Sequence, residues 1–564
     1  MLILLFCFSV IIFLSISFGG MALKLFDTKQ RTKYSLIDHF FIGICFIGTI
    51  LNFISVFSPI TFYTLIFISV PSVIFFYKHK SFFIGRFQIY NFKWFKRNKK
   101  TVGLIVGLVI LTLLVSVLVP QNYDSYLYHI NAIQWIENYK VVPGLANLHD
   151  RFGLNSSVFT LSACFSFYEL YNQYIFPVNS CVYFVFGIWI FKSIFNISKS
   201  KGLLLFVFFF YFTKQYLSDI SSPGTDLLPN IFVAFLMLQI IVDVKSISEK
   251  QILFVVVSLF CFTLKISTAP LLLLSFIALI NRDISVFQKV KSFLIISFIL
   301  VSPWLIRNVI LTGYLIFPME HLDLFDFDWK IKVEKVISIR EWITSWARIP
   351  FESKTEVLNL SYTEWIPKWW KLQTTTNKFL LISACLSPLF IFILTNLKLF
   401  FFKSKSLLLV FFISIFSFVF WFFTAPDFRF SFSFILILSV IPLLLLEPLF
   451  KKYVLIFKNV FQILVFLGFL ILIQESYQKF KTEYRSLSNT NKYIYLQNDV
   501  YNVKFKKNIH FNSVLIPNKK MEYHTIYYPA IERSQCFDQF PCTWFYQDDF
   551  ELRGDGFQDG FKAK

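Results

Sequence analysis

The chain has 564 residues, of which 56% are hydrophobic and only 15% are charged, and its formal net charge is +21. A soluble protein of this length would divide into several domains with charged faces, so the composition excludes an ordinary soluble enzyme. The apolar stretches run for roughly 17–25 residues, the length that crosses a hydrocarbon core of ~30 Å as a helix. The basic excess follows from the positive-inside rule of membrane proteins, and we expect no nucleic-acid partner.

Apolar runs predict fourteen membrane-spanning helices and an all-α polytopic fold. In chain order they cover residues 2–20, 36–56, 59–77, 101–119, 176–196, 202–217, 226–244, 251–264, 268–281, 290–311, 378–397, 406–424, 431–449 and 453–474. The run from Leu2 to Phe18 has no basic region before it and a poor cleavage site after it, which favours a retained span over a cleaved or mis-started N-terminus. The short runs 251–264 and 268–281 are separated by Thr268-Ala269-Pro270, which predicts a hairpin, with one kinked helix as the alternative.

Basic segments orient these helices. Residues 78–100 carry eight Lys or Arg and no acid, which places that segment in the cytoplasm. Three polar regions then face the periplasm or exterior, namely residues 120–175, 312–376 and 475–564. We therefore divide the chain into N-terminal helices with a basic loop (1–100), a transmembrane core (101–474) and an external tail (475–564). Short runs in the tail, Tyr493–Leu496 and Val514–Pro517, indicate a small β-containing or α/β module.

The first external loop carries the most informative polar residues. Asp124 follows the end of a span at Pro120, and a carboxylate there could act as a general base toward an acceptor hydroxyl or amine. It could equally cap the next helix, which we expect to lie along the membrane interface with its aromatic side chains, among them Trp135, at headgroup level. Tyr128, His129, His149 and Arg151 lie in the same loop as candidates for acceptor or sugar binding, although a hydrogen-bonded structural role is favoured for the two histidines.

Further charges stand beside or inside apolar runs, where charge is costly and usually faces a cavity or a partner. They are the cations Lys265, Arg307 and Arg429, and the acids Asp226 and Asp427, which are further candidates for acceptor or sugar binding. Under the predicted topology all of them gather near the outer leaflet. The three cations would form a rim suited to a phosphate or pyrophosphate. Alternatively, Asp124, Asp226 and Asp427 pair with them in a closed structural network.

The second external region and the tail offer weaker signals. The tryptophans of residues 342–370 suit interfacial anchoring better than sugar stacking, and the acids of residues 320–328 suit solvation better than cation binding. No metal site or cofactor is predicted, and the need for a divalent metal is left open. Cys536 and Cys542 are spaced for a small disulfide loop if the tail lies in an oxidising compartment.

Several stretches resemble an uncharacterised family of large bacterial membrane proteins allied to the GT-C superfamily of glycosyltransferases, which use polyprenyl-phosphate sugars. The resemblance is carried by Asp124–Ser157, Ser221–Asp226 (SSPGTD), Leu264–Pro270 (LKISTAP), Pro303–Pro318, Ala425–Phe430 (APDFRF) and Cys536–Phe561. It implies a bundle of about 12–14 transmembrane helices in the bacterial cytoplasmic membrane. It departs from the GT-C pattern because three spans precede the acidic loop, which an N-terminal extension would explain.

The resemblance also implies roles. Asp124 would act at the acceptor, while Lys265, Arg307 and Arg429 would hold the lipid phosphate. The protein would then move a sugar from a polyprenyl-phosphate-linked donor to a cell-envelope glycan, lipid or protein at the outer face of the membrane. A polysaccharide polymerase or ligase is the alternative enzyme, and a transporter or flippase for lipid-linked sugars is the alternative from another class, since intramembrane charges also mark transport pathways.

Overall fold

The computed structural model describes residues 1–27, 33–88, 92–280, 285–396, 405–486, 511–517, 520, 522–530 and 539–564. The described chain is mostly α-helical. Its α-helices are Leu2–Phe26, Leu36–Phe57, Phe62–Lys78, Lys80–Gln88, Phe92–Arg97, Lys99–Ser116, Ile130–Asn138, Leu145–Leu148, Ser157–Cys164, Tyr168–Tyr171, Pro177–Ile194, Lys199–Tyr216, Leu227–Val242, Ser246–Glu249, Gln251–Leu264, Leu272–Ile280, Val286–Thr312, Val333–Arg348, Lys354–Asn359, Tyr362–Leu372, Thr375–Asn396, Lys405–Thr424, Phe428–Val440, Glu447–Lys452 and Val454–Ser486. A π-helical segment, Ser125–His129, and the 3₁₀ segments Asp150–Gly153, Ile266–Leu271, Glu320–Leu322, Ile441–Leu446 and Phe557–Asp559 complete the helical structure.

Each of the fourteen predicted spans contains helix in the structure. Among the described residues eight helices are long and apolar enough to cross a membrane, or nine if the bent pair Phe62–Lys78 and Lys80–Arg86 forms one span. Three more apolar helical segments are shorter than a full crossing, namely Leu227–Val242, Gln251–Leu264 and Ile266–Leu279. The protein is therefore an all-α polytopic chain, and several of the predicted spans are shorter than their hydropathy indicated.

The short helices lie at the centre of the bundle. Every residue from Leu227 to Ile241 is buried, and the helix Gln251–Leu264 packs against this one. A helix that is apolar on all faces is stable only when other helices surround it. After Leu264 the chain turns through Lys265, and Leu272–Ile280 packs back against Gln251–Leu264, which supports the predicted hairpin.

The N-terminal helices pack unusually closely. A Cβ added to Gly43 would lie 1.7 Å from the carbonyl oxygen of Ser15, and one added to Gly19 would lie 1.9 Å from that of His39. Small residues allow helices in a membrane to approach each other in this way. The pair Leu2–Phe26 and Leu36–Phe57 is thereby fixed as a unit, on which the first large loop rests.

The first large loop is buried rather than spread along a surface. Almost every residue from Ser125 to Ile136 and from Ser156 to Phe167 is buried, and the helix Ser157–Cys164 packs against Leu36–Phe57. The expectation of an interfacial helix with headgroup-level aromatics is therefore wrong for Trp135, which is only 2% exposed. The C-terminal tail surrounds its ring instead of the membrane interface, through contacts from Phe540, Phe557 and Phe561.

The C-terminal tail contains two small antiparallel sheets. Strand Phe511–Pro517 pairs with Tyr523–Pro529, and Phe550–Leu552 pairs with Phe561–Ala563. The first confirms the strand predicted at Val514–Pro517, while Tyr493–Leu496 lies outside the described residues. The tail docks on the loop, since the N–H of Phe561 donates to the carbonyl of Pro143 at 2.9 Å.

One glycine marks the point where tail and loop meet. Gly144 has φ +63°, and a Cβ added there would lie 2.1 Å from the carbonyl oxygen of Phe561. Its N–H donates to the carbonyl of Ile310 at 2.8 Å. A left-handed conformation and a close backbone approach both require glycine here, so this turn ties the loop to a membrane helix and to the tail at once.

Candidate functional site

Six charged side chains from five separate segments meet at one end of the bundle. They form what we call the charge cluster, which consists of Asp124, Arg151, Asp226, Lys265, Asp427 and Arg429. Each lies at or near the end of a helix rather than in its middle. The structure therefore brings together five of the charges that the sequence predicted near the outer leaflet, Arg307 being the exception, and adds Arg151 to them.

Arg429 is the centre of the cluster. Its Nη2 lies 3.0 Å from Asp427 Oδ2, and its Nη1 lies 3.5 Å from Asp124 Oδ2 and 3.7 Å from Asp226 Oδ2. The carbonyl oxygen of Arg429 accepts hydrogen bonds from the hydroxyl of Tyr216 and the amide of Asn230. Because one guanidinium contacts three carboxylates, its orientation is set by the whole cluster.

Asp124 makes the loosest ion pairs of the three acids. Its two oxygens lie 3.4 Å from Arg151 Nη1 and 3.5 Å from Arg429 Nη1, and 26% of its side chain is exposed. Asp124 precedes the segment Ser125–His129, but its carboxylate makes no capping hydrogen bond. The helix-cap alternative is therefore wrong, and the carboxylate is held between two guanidinium groups with an accessible face.

Lys265 and Asp226 form a direct ion pair at the base of the cluster. Arg429 also contacts Asp226, so two cations compensate the charge of this buried carboxylate. Lys265 Nζ also lies 4.0 Å from the centre of the Phe430 ring, a cation–π contact. The cluster therefore contains three cations and three anions and is formally neutral.

His129 is buried beside the cluster without a hydrogen bond. It is 2% exposed, and neither ring nitrogen has a hydrogen-bond partner among the described residues. Burial lowers its pKa to about 4 despite the attraction of Asp124 and Asp226, so the ring is neutral at physiological pH. The predicted hydrogen-bonded role is thus wrong for His129. Its neighbour Tyr128, whose pKa burial raises, packs edge-on against it at 4.3 Å.

His149 and Arg151 form the rim that faces the tail. The backbone N–H of Arg151 donates to His149 Nδ1 at 3.1 Å, which confirms a hydrogen-bonded structural role for this histidine. The ring of Trp544 stacks on His149 at 5.6 Å and lies 5.0 Å from the guanidinium carbon of Arg151. The tail therefore supports the cation that holds Asp124.

Arg307 does not join the cluster, which corrects its place in the predicted cationic rim. Its Nε donates to Asn155 Oδ1 at 3.1 Å and its Nη1 donates to Ser55 Oγ. The reason is that the helix Val286–Thr312 packs against Leu36–Phe57, which carries Ser55. The position of Arg307 near the end of its helix predicted a depth close to that of the cluster. Its side chain, however, lies on the helix face that packs against Leu36–Phe57 and so does not reach the cluster.

Two residues near the cluster were not identified from sequence. Asp219 accepts a hydrogen bond from Asn122 Nδ2 at 2.7 Å, and burial raises its pKa to about 6. Its signal was its position just before Ser221–Asp226, where the chain leaves a helix. Trp544 lay in a stretch that carried the family resemblance, yet nothing local linked it to Arg151.

Two further questions from the sequence concern metal binding and the disulfide. Among the described residues no group of three His, Cys, Asp or Glu side chains is arranged to hold a metal ion. Cys542 is disulfide-bonded. Its predicted partner, Cys536, lies outside the described residues.

Comparison with known proteins gives a family and no activity. Residues 1–436 match the family described as "Domain of unknown function (DUF8201)". No curated protein and no solved structure matches the chain. The matched range includes all six residues of the charge cluster, whereas Trp544 lies beyond it. Because the match covers most of the chain, the protein belongs to the DUF8201 family.

Proposed function

We propose that the protein is a membrane glycosyltransferase of the GT-C type, with about 12–14 transmembrane helices in a bacterial cytoplasmic membrane. It would transfer a sugar from a polyprenyl-phosphate-linked donor to a glycan, lipid or protein acceptor at the outer face. The observation that carries the proposal is the accessible Asp124 carboxylate held between Arg151 and Arg429 at 3.4 and 3.5 Å. The resemblance of the surrounding stretches to that superfamily supports it.

In the proposed reaction Asp124 is the general base. It removes the proton from an acceptor hydroxyl or amine as that atom bonds to the anomeric carbon of the sugar. The bond between the anomeric carbon and the phosphate oxygen breaks, and its electron pair leaves with the lipid phosphate. Arg429 and Lys265 stabilise the charge that develops on this leaving group, because they are already oriented before the substrate arrives.

The neutral balance of the cluster fits this chemistry. Arg429 shares its charge among three acids, and its side chain is 32% exposed. A phosphate that approaches can therefore replace a carboxylate contact rather than meet a bare cation. If the cluster were instead a closed structural network, substitution of its members would impair folding rather than transfer.

The test is the variant Asp124→Asn, which keeps the size of the side chain and removes its basicity. We expect transfer to fall by at least ~100-fold, the scale of general-base catalysis, and the cell-surface glycan profile to change while the protein accumulates normally. Asp323→Asn is the matched control, since Asp323 is an external acid that pairs with Lys330 away from the cluster.

The glycan profile also separates the alternatives. Loss of a single sugar supports the transferase, whereas loss of long chains alone indicates a polymerase or ligase. An unchanged profile from normally accumulating Asp124→Asn protein would reject the catalytic role.

A further inference from the structure

Residues 78–100, which we call the basic segment, join two apolar helices at one membrane surface. The helix Phe62–Lys78 ends where the segment begins, and the helix Lys99–Ser116, long and apolar enough to span, begins where it ends. Between them lie the short helices Lys80–Gln88 and Phe92–Arg97. The chain bends by 79° after Phe62–Lys78. Because a spanning helix runs across the bilayer, a bend this close to a right angle directs the next helix along the bilayer surface.

Two side chains fix the first short helix on the rest of the protein. Phe83 is 1% exposed, and Arg86 Nη1 donates to the carbonyl oxygen of Tyr34 at 2.7 Å. Residues three or four positions apart share a face of a helix. Phe83 and Arg86 therefore hold one face against the protein. Lys80 and Ile84 lie on the other face, and both are exposed.

Most of the cations in the basic segment are not used within the protein. The segment carries eight Lys or Arg and no acid, and only Arg86 and Lys100 donate hydrogen bonds to other parts of the described chain. The acids Asp38 and Glu249, at the same end of the bundle, pair with other lysines. The remaining six cations are all exposed, namely Lys78, Lys80, Lys93, Lys96, Arg97 and Lys99. Acids of the segment cannot compensate this charge, since it has none.

Exposed apolar side chains stand beside these cations. Tyr77 is 72% exposed, Phe95 47% and Ile84 46%. The ring of Trp94 packs edge-on against Phe95 at 5.4 Å, and Lys80 Nζ lies 5.3 Å from the centre of the Tyr77 ring. A solvated loop would satisfy the positive-inside rule with cations alone. Rings and cations together are typical of a helix that lies in the headgroup layer.

We propose that the basic segment is a docking surface for the headgroups of anionic phospholipids, with its two short helices lying along the bilayer. The exposed cations contact the lipid phosphates, and the exposed rings lie between the headgroups. The bilayer is the occupant because both ends of the segment are attached to apolar helices. Its anionic lipids are selected because a cluster of Lys and Arg beside a span attracts negative headgroups.

This surface is separate from the charge cluster. Arg86 contacts Tyr34, which lies just before the helix that carries Asp38. Asp38 pairs with Lys250, and Lys265 of the charge cluster lies at the other end of the helix that follows Lys250. The proposal therefore does not rest on the proposed transferase, and Asp124→Asn should leave lipid docking unchanged.

The test follows hydrogen exchange in peptides of the basic segment, with the purified full-length protein in nanodiscs. The nanodiscs contain phosphatidylcholine alone, phosphatidylcholine with added inorganic phosphate, or equal parts of phosphatidylcholine and phosphatidylglycerol. We expect exchange to be at least ~5-fold slower with phosphatidylglycerol, since each Lys or Arg near an anionic surface contributes on the order of a fivefold change. This slowing should disappear at ~1 M salt, where the Debye length is ~3 Å. Equal rates in the two bilayers, or the same slowing by inorganic phosphate, would overturn the proposal.

Variants assign the effect to this surface. The triple variant Lys80→Gln, Lys93→Gln and Arg97→Gln changes only exposed side chains and should lose most of the difference between the two bilayers. The matched control makes the same change in three exposed lysines of the C-terminal tail that pair with acids, Lys520, Lys562 and Lys564. It should keep the full difference. A difference that persists in the first variant, or that is lost equally in both, would overturn the site.

A further variant tests the exposed rings. Phe95→Ser removes a ring that is 47% exposed, and exchange in the segment should become faster in both bilayers. The slowing by phosphatidylglycerol should remain, because the cations are intact. Rates equal to those of the natural chain in both bilayers would show that the segment stands clear of the headgroup layer, and would overturn the proposed arrangement.

Discussion

The helix Gln251–Leu264 has a lysine at each end, and each lysine pairs with a buried aspartate, but the surroundings of the two ion pairs differ. At one end Lys250 Nζ lies 2.8 Å from Asp38 Oδ2, and the Asp38 side chain is 0% exposed. Asp38 also accepts hydrogen bonds from the backbone and hydroxyl of Ser35, which begins the helix Leu36–Phe57. The ion pair between Lys250 and Asp38 is short and buried, and the Asp38 carboxylate has further hydrogen-bond donors, so the role of this pair is structural.

At the other end, about 21 Å away by the rise of an α-helix, Lys265 pairs with an acid that Arg429 also contacts. The neighbouring contacts to Asp124 are 3.4 and 3.5 Å long, and the side chains involved are 20–32% exposed. Long contacts between partly exposed groups are weak and easily exchanged. The difference is that the ion pair at one end is closed, whereas the one at the other end belongs to a cluster with long, partly exposed contacts, and only the second fits the proposed exchange with a ligand.

The most direct test of this difference makes the same substitution, Asp to Asn, in the closed ion pair and in the charge cluster. Asp38→Asn removes the charge from a buried pair and should lower the free energy of unfolding by about 3 kcal/mol, whereas Asp124→Asn should lower it by less than about 1 kcal/mol. Thermal or denaturant unfolding of the purified proteins in detergent measures both. Equal losses would show that the cluster is a second structural pair and would remove the basis for the proposed site.

The pH dependence of stability tests the burial of His129. Its folded pKa of about 4 lies below the ordinary value of 6.5, so between these values the unfolded chain binds the extra proton and stability falls as pH falls. From pH 7.5 to 5.5 the loss from this group should be about 1 kcal/mol. His129→Phe should remove that part of the pH slope.

The slope that remains in His129→Phe reports the other groups, among them His149, whose pKa burial also lowers. An identical slope in the variant would contradict the neutral, buried state of His129. It would mean that the ring reaches solvent or finds a partner in the folded protein.

The smallest expected effect concerns the contact between the tail and the cluster. Trp544→Ala removes the ring that lies 5.0 Å from the guanidinium carbon of Arg151. Loss of this cation–π contact should cost about 0.5–1 kcal/mol of interaction free energy at Arg151. Transfer should then fall about 2–5-fold, with Trp544→Phe retaining most of it. A loss as large in Trp544→Phe as in Trp544→Ala would indicate a role for the indole N–H instead.

The helices and much of the charge cluster were predictable because both depend on local sequence. Apolar runs fix where helices form, and Asp226, Lys265, Asp427 and Arg429 stand out because they lie at the ends of such runs. Helix ends on one side of a membrane meet, so grouping these residues needed only a topology. The lengths of the central helices were less predictable, since a short buried helix and a full span share the same hydropathy.

What sequence could not supply was the direction of individual side chains. Arg307 lies on a helix that is apolar on most faces, so nothing in its pattern showed that it would turn toward Ser55. Trp135 looked like a membrane anchor because the tail that buries it lies about 400 residues later. Contacts between Arg151 and Trp544 have the same cause, since they depend on how a separate module docks.

The sequence distance between these contacts has a consequence for biosynthesis. Asp124 and Arg429 are 305 positions apart, and Trp544 is made later still. At typical elongation rates the ribosome needs roughly 20–80 s between Arg151 and Trp544. Asp124 and Arg151 are therefore synthesised first, Arg429 follows within that interval, and Trp544 comes at its end. The contact of Trp544 with Arg151 therefore forms only after the tail has been synthesised, and nascent chains that stall before the tail should carry Asp124 and Arg151 without this contact.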